Sequence, residues 1–156
     1  MDTLFILGAK YLFIIPVLWL GLLFYQSSRE DRKSIFIFSV LSFSLALVAS
    51  KALGKIYFNP RPFVVENFKP LIDHAPDNGF PSDHALLVGA LASMVTVYYR
   101  KYQIWFWALA ILVATSRVYV GVHHTIDVVT SLVIAGISAF IIKTILDSRK
   151  DATIGK

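Results

Sequence analysis

No cysteine occurs in this 156-residue chain, which excludes disulfides, thiolate metal sites and a cysteine nucleophile. Charge is scarce as well. Asp, Glu, Lys and Arg together make up 16% of residues, where a soluble domain carries about a quarter. Internal repeats and low-complexity tracts are absent, which argues against solenoids and disordered linkers. The net charge of +5 is spread over the ends of loops, a pattern of membrane topology rather than of nucleic-acid binding. What fills the chain is apolar: 56% hydrophobic residues and a mean hydropathy of +0.66. This material is gathered into runs of about 20 residues, the length that crosses a bilayer. The composition predicts an all-α integral membrane bundle of about five transmembrane helices, forming one domain over residues 1–156.

The first expected span is Leu4–Tyr25, with Lys10 snorkelling and a kink at Pro16. No small-residue cleavage site follows it, so the run reads as a span rather than a signal peptide. The polar stretch Ser27–Ser34 is expected to be a loop, and the second span to run from Ile35 to about Leu53. Ser39, Ser42, Ser44 and Ser50 within it are of the small type that marks helix–helix contacts. Residues 54–80 carry four prolines and two glycines and should not form a continuous helix. A third span is expected from Pro81–Ser82 to Tyr99, a fourth from Gln103 to Thr115 and a fifth from Ile126 to Leu146. Trp105, Phe106 and Trp107 suggest an interfacial aromatic belt.

Counting bases orients this topology. One side holds Arg29, Arg32, Lys33, Arg100, Lys101, Lys143, Arg149, Lys150 and Lys156; the other holds Lys10, Lys55, Arg61, Lys69 and Arg117. The positive-inside rule makes the first side cytoplasmic, so the 54–80 segment and the 116–125 corner face outward.

Three polar stretches fall on that outward side. In Asn59-Pro60-Arg61-Pro62-Phe63, prolines on both sides of Arg61 hold the backbone extended and aim the guanidinium. The plainer reading is an arginine at headgroup level. Gly79-Phe80-Pro81-Ser82-Asp83-His84 opens the third span. An ordinary helix cap explains Ser82 or Asp83 but leaves His84 unexplained, and a helix N-terminus also offers free N–H groups to an anion. Ser82 can then donate to a phosphate oxygen while His84 protonates a leaving oxygen. In Thr115–Asp127, Arg117 supplies a fixed positive fork, and His123 and Asp127 are four residues apart. On a helix that spacing puts them on one face, where the carboxylate fixes the imidazole tautomer and frees the other nitrogen for attack. A nucleophile, an acid and fixed cations fit phosphoryl transfer. Metal ligation by His84, His123, His124 and Asp127 is the alternative, disfavoured because the arginines would repel a divalent cation.

Together the stretches resemble the type-2 phosphatidic acid phosphatases, membrane relatives of the vanadium haloperoxidases. That family's second motif, proline-serine-any-histidine, stands as Pro81-Ser82-Asp83-His84. Its third, serine-arginine, five residues, histidine, three residues, aspartate, runs from Ser116-Arg117 through His123 to Asp127. Its first, lysine, six residues, arginine-proline, is met at Arg61-Pro62, but position 54 is glycine. Lys55 stands one place late and Lys51 one turn earlier. The resemblance covers about residues 50–145. Six helices are usual in the family, so an N-terminal helix is the element expected to be missing here. NPRPFV and HAPDNGFPSDHA are most similar to bacterial undecaprenyl-diphosphatases of the bacitracin-resistance type.

The resemblance implies a two-step hydrolysis of a lipid phosphate or diphosphate, with no metal and no cofactor. His123 attacks phosphorus, Asp127 holds its ring, and His84 protonates the leaving group and then activates water. Arg61, Ser82, Arg117 and Lys55 bind phosphoryl oxygens. The expected location is the cytoplasmic membrane with the site facing outward, and the terminal phosphate of undecaprenyl diphosphate is the leading substrate. A glycerophospholipid such as phosphatidylglycerol phosphate or phosphatidic acid is the alternative. A non-enzymatic anion carrier is a third reading, weakened by the absence of paired half-repeats. Nucleic acid is not expected as a partner, and the sequence carries no signal for oligomeric state. His74, Glu66, Asp73 and Asp77 read as solvated loop residues. His124 reads as a structural or headgroup contact, Tyr119 as an interfacial tyrosine and Lys143 as a snorkelling lysine.

Overall fold

The computed structural model describes the backbone of residues 1–154 and the side chains of residues 1–150. Lys156, counted above among the cytoplasmic bases, lies outside the described residues. Seven α-helices account for most of the chain: α1 Asp2–Tyr11, α2 Ile14–Gln26, α3 Arg29–Ile56, α4 Pro62–Val65, α5 Asp83–Tyr98, α6 Gln103–Tyr119 and α7 Thr125–Ile154. Among the described residues no strand forms; a single isolated bridge joins Pro60 to Asn78.

The expected first span is two helices, α1 and α2, bent by 43° at Leu12–Phe13. Pro16 explains the place of the break. It has no N–H to give the Leu12 carbonyl four residues back, and its ring crowds that carbonyl. The expected loop at Ser27–Ser34 is mostly helix. Ser28 caps α3 by accepting from the Asp31 N–H at 3.1 Å, and Glu30 and Asp31 lie in the first turn. Charges read as loop are therefore a capped, dipole-matched helix start.

By length and composition α3 and α7 can each cross a membrane, and so can α1–α2 taken as one bent span. The expected third and fourth spans are shorter, α5 with 16 residues and α6 with 17. At 1.5 Å per residue they reach about 24 to 26 Å. A shorter α5 is tolerable because it runs through the middle of the bundle, packed on α3, α6 and α7, and meets little lipid. Small residues permit that packing: a Cβ on Gly89 of α5 would stand 3.1 Å from the Ala135 Cβ of α7. Val88, Ala92 and Val95 of α5 join Phe106, Ala110 and Val113 of α6 and Leu23 of α2 in one core cluster. Phe106 is thus core, not part of an aromatic belt, whereas Trp105 is exposed. Ser42 and Ser50 are buried between helices and Ser39 bonds the Met94 sulfur at 2.7 Å, but Ser44 faces outward. The outer faces carry Leu18, Phe36, Val48, Ile104 and Phe140, an apolar coat suited to the lipid of a bilayer.

The helix order sorts the chain's polar groups into two ends. The start of α1, the ends of α3 and α6, and the starts of α5 and α7 share one end. Tyr119 on α6 donates to Asp2 at 3.0 Å, Asn59 just beyond α3 donates to Asp127 at 2.7 Å, and Lys51 pairs with Asp83 at 3.4 Å. At the other end Ser27 and Tyr99 hydroxyls meet at 2.7 Å, and Tyr98 donates to the Ser34 carbonyl.

Candidate active site

The α6–α7 corner is a helix stop followed at once by a helix start. Val122 N–H bonds the Arg117 carbonyl at 3.3 Å and Gly121 N–H the Val118 carbonyl at 2.9 Å, closing a Schellman turn. Gly121 has φ of +82°, a left-handed conformation that glycine adopts without strain. Val120 and Val122 are buried on either side of it and anchor the corner. Five residues beyond Val122, Asp127, in the first turn of α7, reaches back to accept from the His124 N–H at 2.7 Å. This is the return half of a capping box. His123 is therefore held in the corner itself, before α7 begins, and not on a helical face shared with Asp127.

That correction changes the imidazole's partners. The His123 Nδ1 donates to the Gly79 carbonyl at 2.9 Å, while the nearer Asp127 oxygen is 3.6 Å away. A carbonyl can only accept, so Nδ1 carries the proton and a neutral ring keeps its lone pair on Nε2. Nε2 lies 3.4 Å from the Arg61 Nη1. Burial lowers the His123 pKa below its ordinary value; the Asp127 carboxylate opposes this, and Arg61 and Arg117 add to it. Asp127 is completely buried and binds Asn59 through its other oxygen.

Arg61 comes from the extended residue before α4, as its flanking prolines predict. It is buried, donates to the Val122 carbonyl at 2.7 Å, and donates through Nε to Asp77 at 2.7 Å. Arg117 comes from the last turn of α6. One of its amino groups reaches the Ala9 carbonyl at 3.3 Å, and its buried Nε has no acceptor among the described residues. A buried guanidinium N–H left without a partner is costly unless an anion completes it.

Arg61, Arg117, His84 and His123 all line one cavity of about 420 Å3, together with Lys51, Lys55, His74 and Asp77. His84 stands in the first turn of α5, with the Phe13 ring edge-on at 5.5 Å. Ser82 is completely buried and caps α5, accepting from the Ala85 N–H at 3.5 Å; it lies behind the cavity wall, as does Asp127. Glycine at position 54 has a steric reason. A Cβ there would meet the Phe80 carbonyl at 3.0 Å, so a lysine where the first motif calls for one would have to push that backbone aside by a few tenths of an ångström. Lys51 and Lys55 both reach the cavity from the same helix; Lys51 pairs with Asp83, and no partner is seen for Lys55 among the described residues.

The loop residues His74 and Asp77 also face the cavity. Burial and the Arg61 charge lower the His74 pKa. At Asp77 burial works upward and is the largest single influence, but the hydrogen bond and charge of Arg61, with smaller help from His74, together outweigh it and the carboxyl stays below its usual range. His124 bonds the Pro60 carbonyl at 3.0 Å, a structural contact, and Tyr119 stacks on Phe5. Among the described residues no three His, Asp or Glu side chains gather closely enough to hold a metal ion. The groups sequence reasoning passed over are Asn59, Asn78, Gly79, His74 and Asp77, all from the segment 54–80.

Comparison with known proteins gives a consistent answer. Residues 33–151 match the model of the PAP2 superfamily. An undecaprenyl-diphosphatase, BcrC of Bacillus subtilis, is 33% identical over 144 residues, covering 90% of this chain and 72% of that protein. The bacitracin transport permease protein BcrC of Bacillus licheniformis is 31% identical over 150 residues, covering 87% and 73%. The crystal structure of Aquifex aeolicus LpxE superposes with a TM-score of 0.70 at 23% identity, covering 92% of this chain and 85% of that one, a likeness of fold.

Proposed function

Because this chain belongs to the PAP2 superfamily and is a membrane-bound hydrolase of phosphate esters, we propose that it removes the terminal phosphate of undecaprenyl diphosphate. In this reading residues 1–156 act as one membrane-embedded domain of the cytoplasmic membrane. The site faces outward, since most of the bases lie at the opposite end. The relatives named undecaprenyl-diphosphatase support the substrate.

The observation that carries the mechanism is the His123 ring, with its Nδ1 proton committed to Gly79 and Nε2 left beside Arg61 in the cavity. His123 Nε2 attacks the terminal phosphorus, forming an N–P bond as the P–O bond to the lipid phosphate breaks. His84 gives its proton to the departing oxygen. Arg61, Arg117 and Lys55, which all line the cavity, take the charge on the three equatorial oxygens. Ser82 can join as a donor, because its oxygen accepts in the helix cap and its own O–H remains to give. Asp127 favours the imidazolium character that develops as the N–P bond forms. Water then attacks the phosphohistidine, His84 accepts its proton, and inorganic phosphate leaves with His123 restored. No step requires a metal.

The test is phosphate release by purified protein in detergent, from undecaprenyl diphosphate and from phosphatidylglycerol phosphate, with and without EDTA. Activity that survives EDTA and favours the polyprenyl substrate is expected. Preference for the glycerophospholipid would move the substrate to the alternative, and metal-restored activity would overturn the mechanism. Outward placement is tested by a cysteine at Asn67, which should be labelled by an impermeant reagent in intact cells.

A further inference from the structure

Asn78 binds more of its surroundings than any catalytic role requires. Its side-chain oxygen accepts from the Asn59 N–H at 2.9 Å and the Phe80 N–H at 3.0 Å. Its side-chain nitrogen donates to the Gly54 carbonyl at 2.9 Å and the Tyr57 carbonyl at 3.2 Å. All four bonds go to main chain. They fasten the end of α3, the approach to Arg61 and the approach to α5 at one point. Gly79 is the residue so enclosed: its own N–H bonds the Asn59 carbonyl at 2.8 Å, and its carbonyl accepts the His123 Nδ1 proton. A Cβ on Gly79 would lie 3.1 Å from Asp127 and 3.2 Å from the Asn59 carbonyl, so the segment sits at contact distance.

We propose that Asn78 is a positioning residue that sets the tautomer and aim of His123 by fixing the Gly79 carbonyl. The inference rests on the reading of His123 as nucleophile. The group that most directly holds the ring is then a main-chain carbonyl, with Asp127 acting on charge from 3.6 Å and on the cap of α7. A carbonyl suits this task because it can only accept, which leaves no choice of tautomer. It needs an external brace, since a loop peptide on its own has freedom that a helix does not. The carboxamide of Asn78 supplies both acceptor and donor for that brace.

The test uses the full chain in lipid nanodiscs with nitrogen-15 labelled histidine; four histidines give a tractable spectrum. His123 is assigned by the signal lost in His123→Ala. The expected wild-type result is a neutral ring protonated on Nδ1. Asn78→Ala should mix the tautomers and lower kcat about 100-fold, the scale of an ångström-level misplacement, with KM within about threefold because Asn78 bonds main chain and none of the phosphate-binding side chains directly. Asn78→Asp keeps the oxygen that accepts from Asn59 and Phe80 but sets a second acceptor against the Gly54 and Tyr57 carbonyls, so it should stay impaired, whereas Asn78→Gln, which keeps both donor and acceptor, should recover part of the lost kcat. Protonation on Nε2 in the wild-type protein overturns the proposal even if no variant folds. So does Asn78→Ala turning over at the wild-type rate. His123→Ala separates the two readings: if it remains active the nucleophile assignment fails, whatever Asn78 does. If it is inactive while Asn78→Ala is normal, only the positioning role fails.

Discussion

The two ends of this bundle are both rich in cations, and they treat them in opposite ways. At one end Arg61 and Arg117 are 5% and 3% exposed and bonded to main-chain carbonyls. At the other, Arg100 and Lys101 lie in solvent, Arg32 folds onto the Ser27 and Tyr25 carbonyls, and Lys143 pairs with Asp147 one turn on. Each end has a hollow, and the larger, about 630 Å3, belongs to the exposed cations, among Ser34, Tyr98, Lys143 and Asp147. Cavity size therefore does not mark the chemistry. What marks it is the cost of burial: a guanidinium removed from water needs compensating acceptors, and among the described residues Arg61 and Arg117 are the buried cations. In the reading proposed above, the exposed end uses positive charge for topology and the buried end uses it for a phosphate.

The sharpest way to break that contrast is to neutralise one cation at each end. Arg61→Ala and Arg117→Ala should each lower kcat by roughly 10²–10³, the typical loss of one preorganised donor to developing charge. Arg100→Ala should stay within about twofold in the same phosphate-release assay. Comparable losses at both ends would erase the distinction.

Much of the buried end is legible in the chain because residue type and spacing carry it. Arg61 between two prolines, His84 after Pro81-Ser82-Asp83, and the Arg117, His123, Asp127 run all reach or back one cavity, as the motifs imply. The bracing is not legible. Gly79 acts through its carbonyl, which every residue has, and Asn78 through bonds to main chain some 20 residues away. Neither leaves a signature in spacing. His74 and Asp77 were passed over because a polar loop residue is solvated by default; only the fold turns them toward Arg61. The fold was misread where charge outweighed pattern: residues 29–34 are helix because Ser28 caps them. The lysine position is obscured by packing, since a side chain at Gly54 would crowd the Phe80 carbonyl.

A gentler probe of the comparison is pH. Burial lowers the His123 pKa from 6.5, so its lone pair stays free into mildly acid solution. The acid limb of kcat/KM should therefore fall below pH 6.5. A limb at or above 6.5 would mean that the ring is less desolvated than the buried end requires.

The smallest expected effect concerns the Arg61–Asp77 pair, which joins a buried cation to a carboxylate whose side chain is 60% exposed. The Asp77 pKa is depressed in the folded state, so the pair stabilises above the unfolded value of 3.8 and is lost as pH falls through the lower folded one. Solvent screening limits it to about 1 kcal/mol or less. Asp77→Asn should lower Tm by a few degrees at pH 7, and the gap to wild type should close in strong acid. A gap that persists there would assign Asp77 a role other than charge.

The central claim is that separate segments bring a single phosphoryl group onto the Nε2 of His123. The direct measurement is rapid quench with substrate radiolabelled in its terminal phosphate, followed by proteolysis at alkaline pH. The account predicts an alkali-stable, acid-labile label on the peptide containing His123, absent from His123→Ala. A label on another residue would contradict it, as would its absence from an enzyme shown to be turning over with a rate-limiting second step.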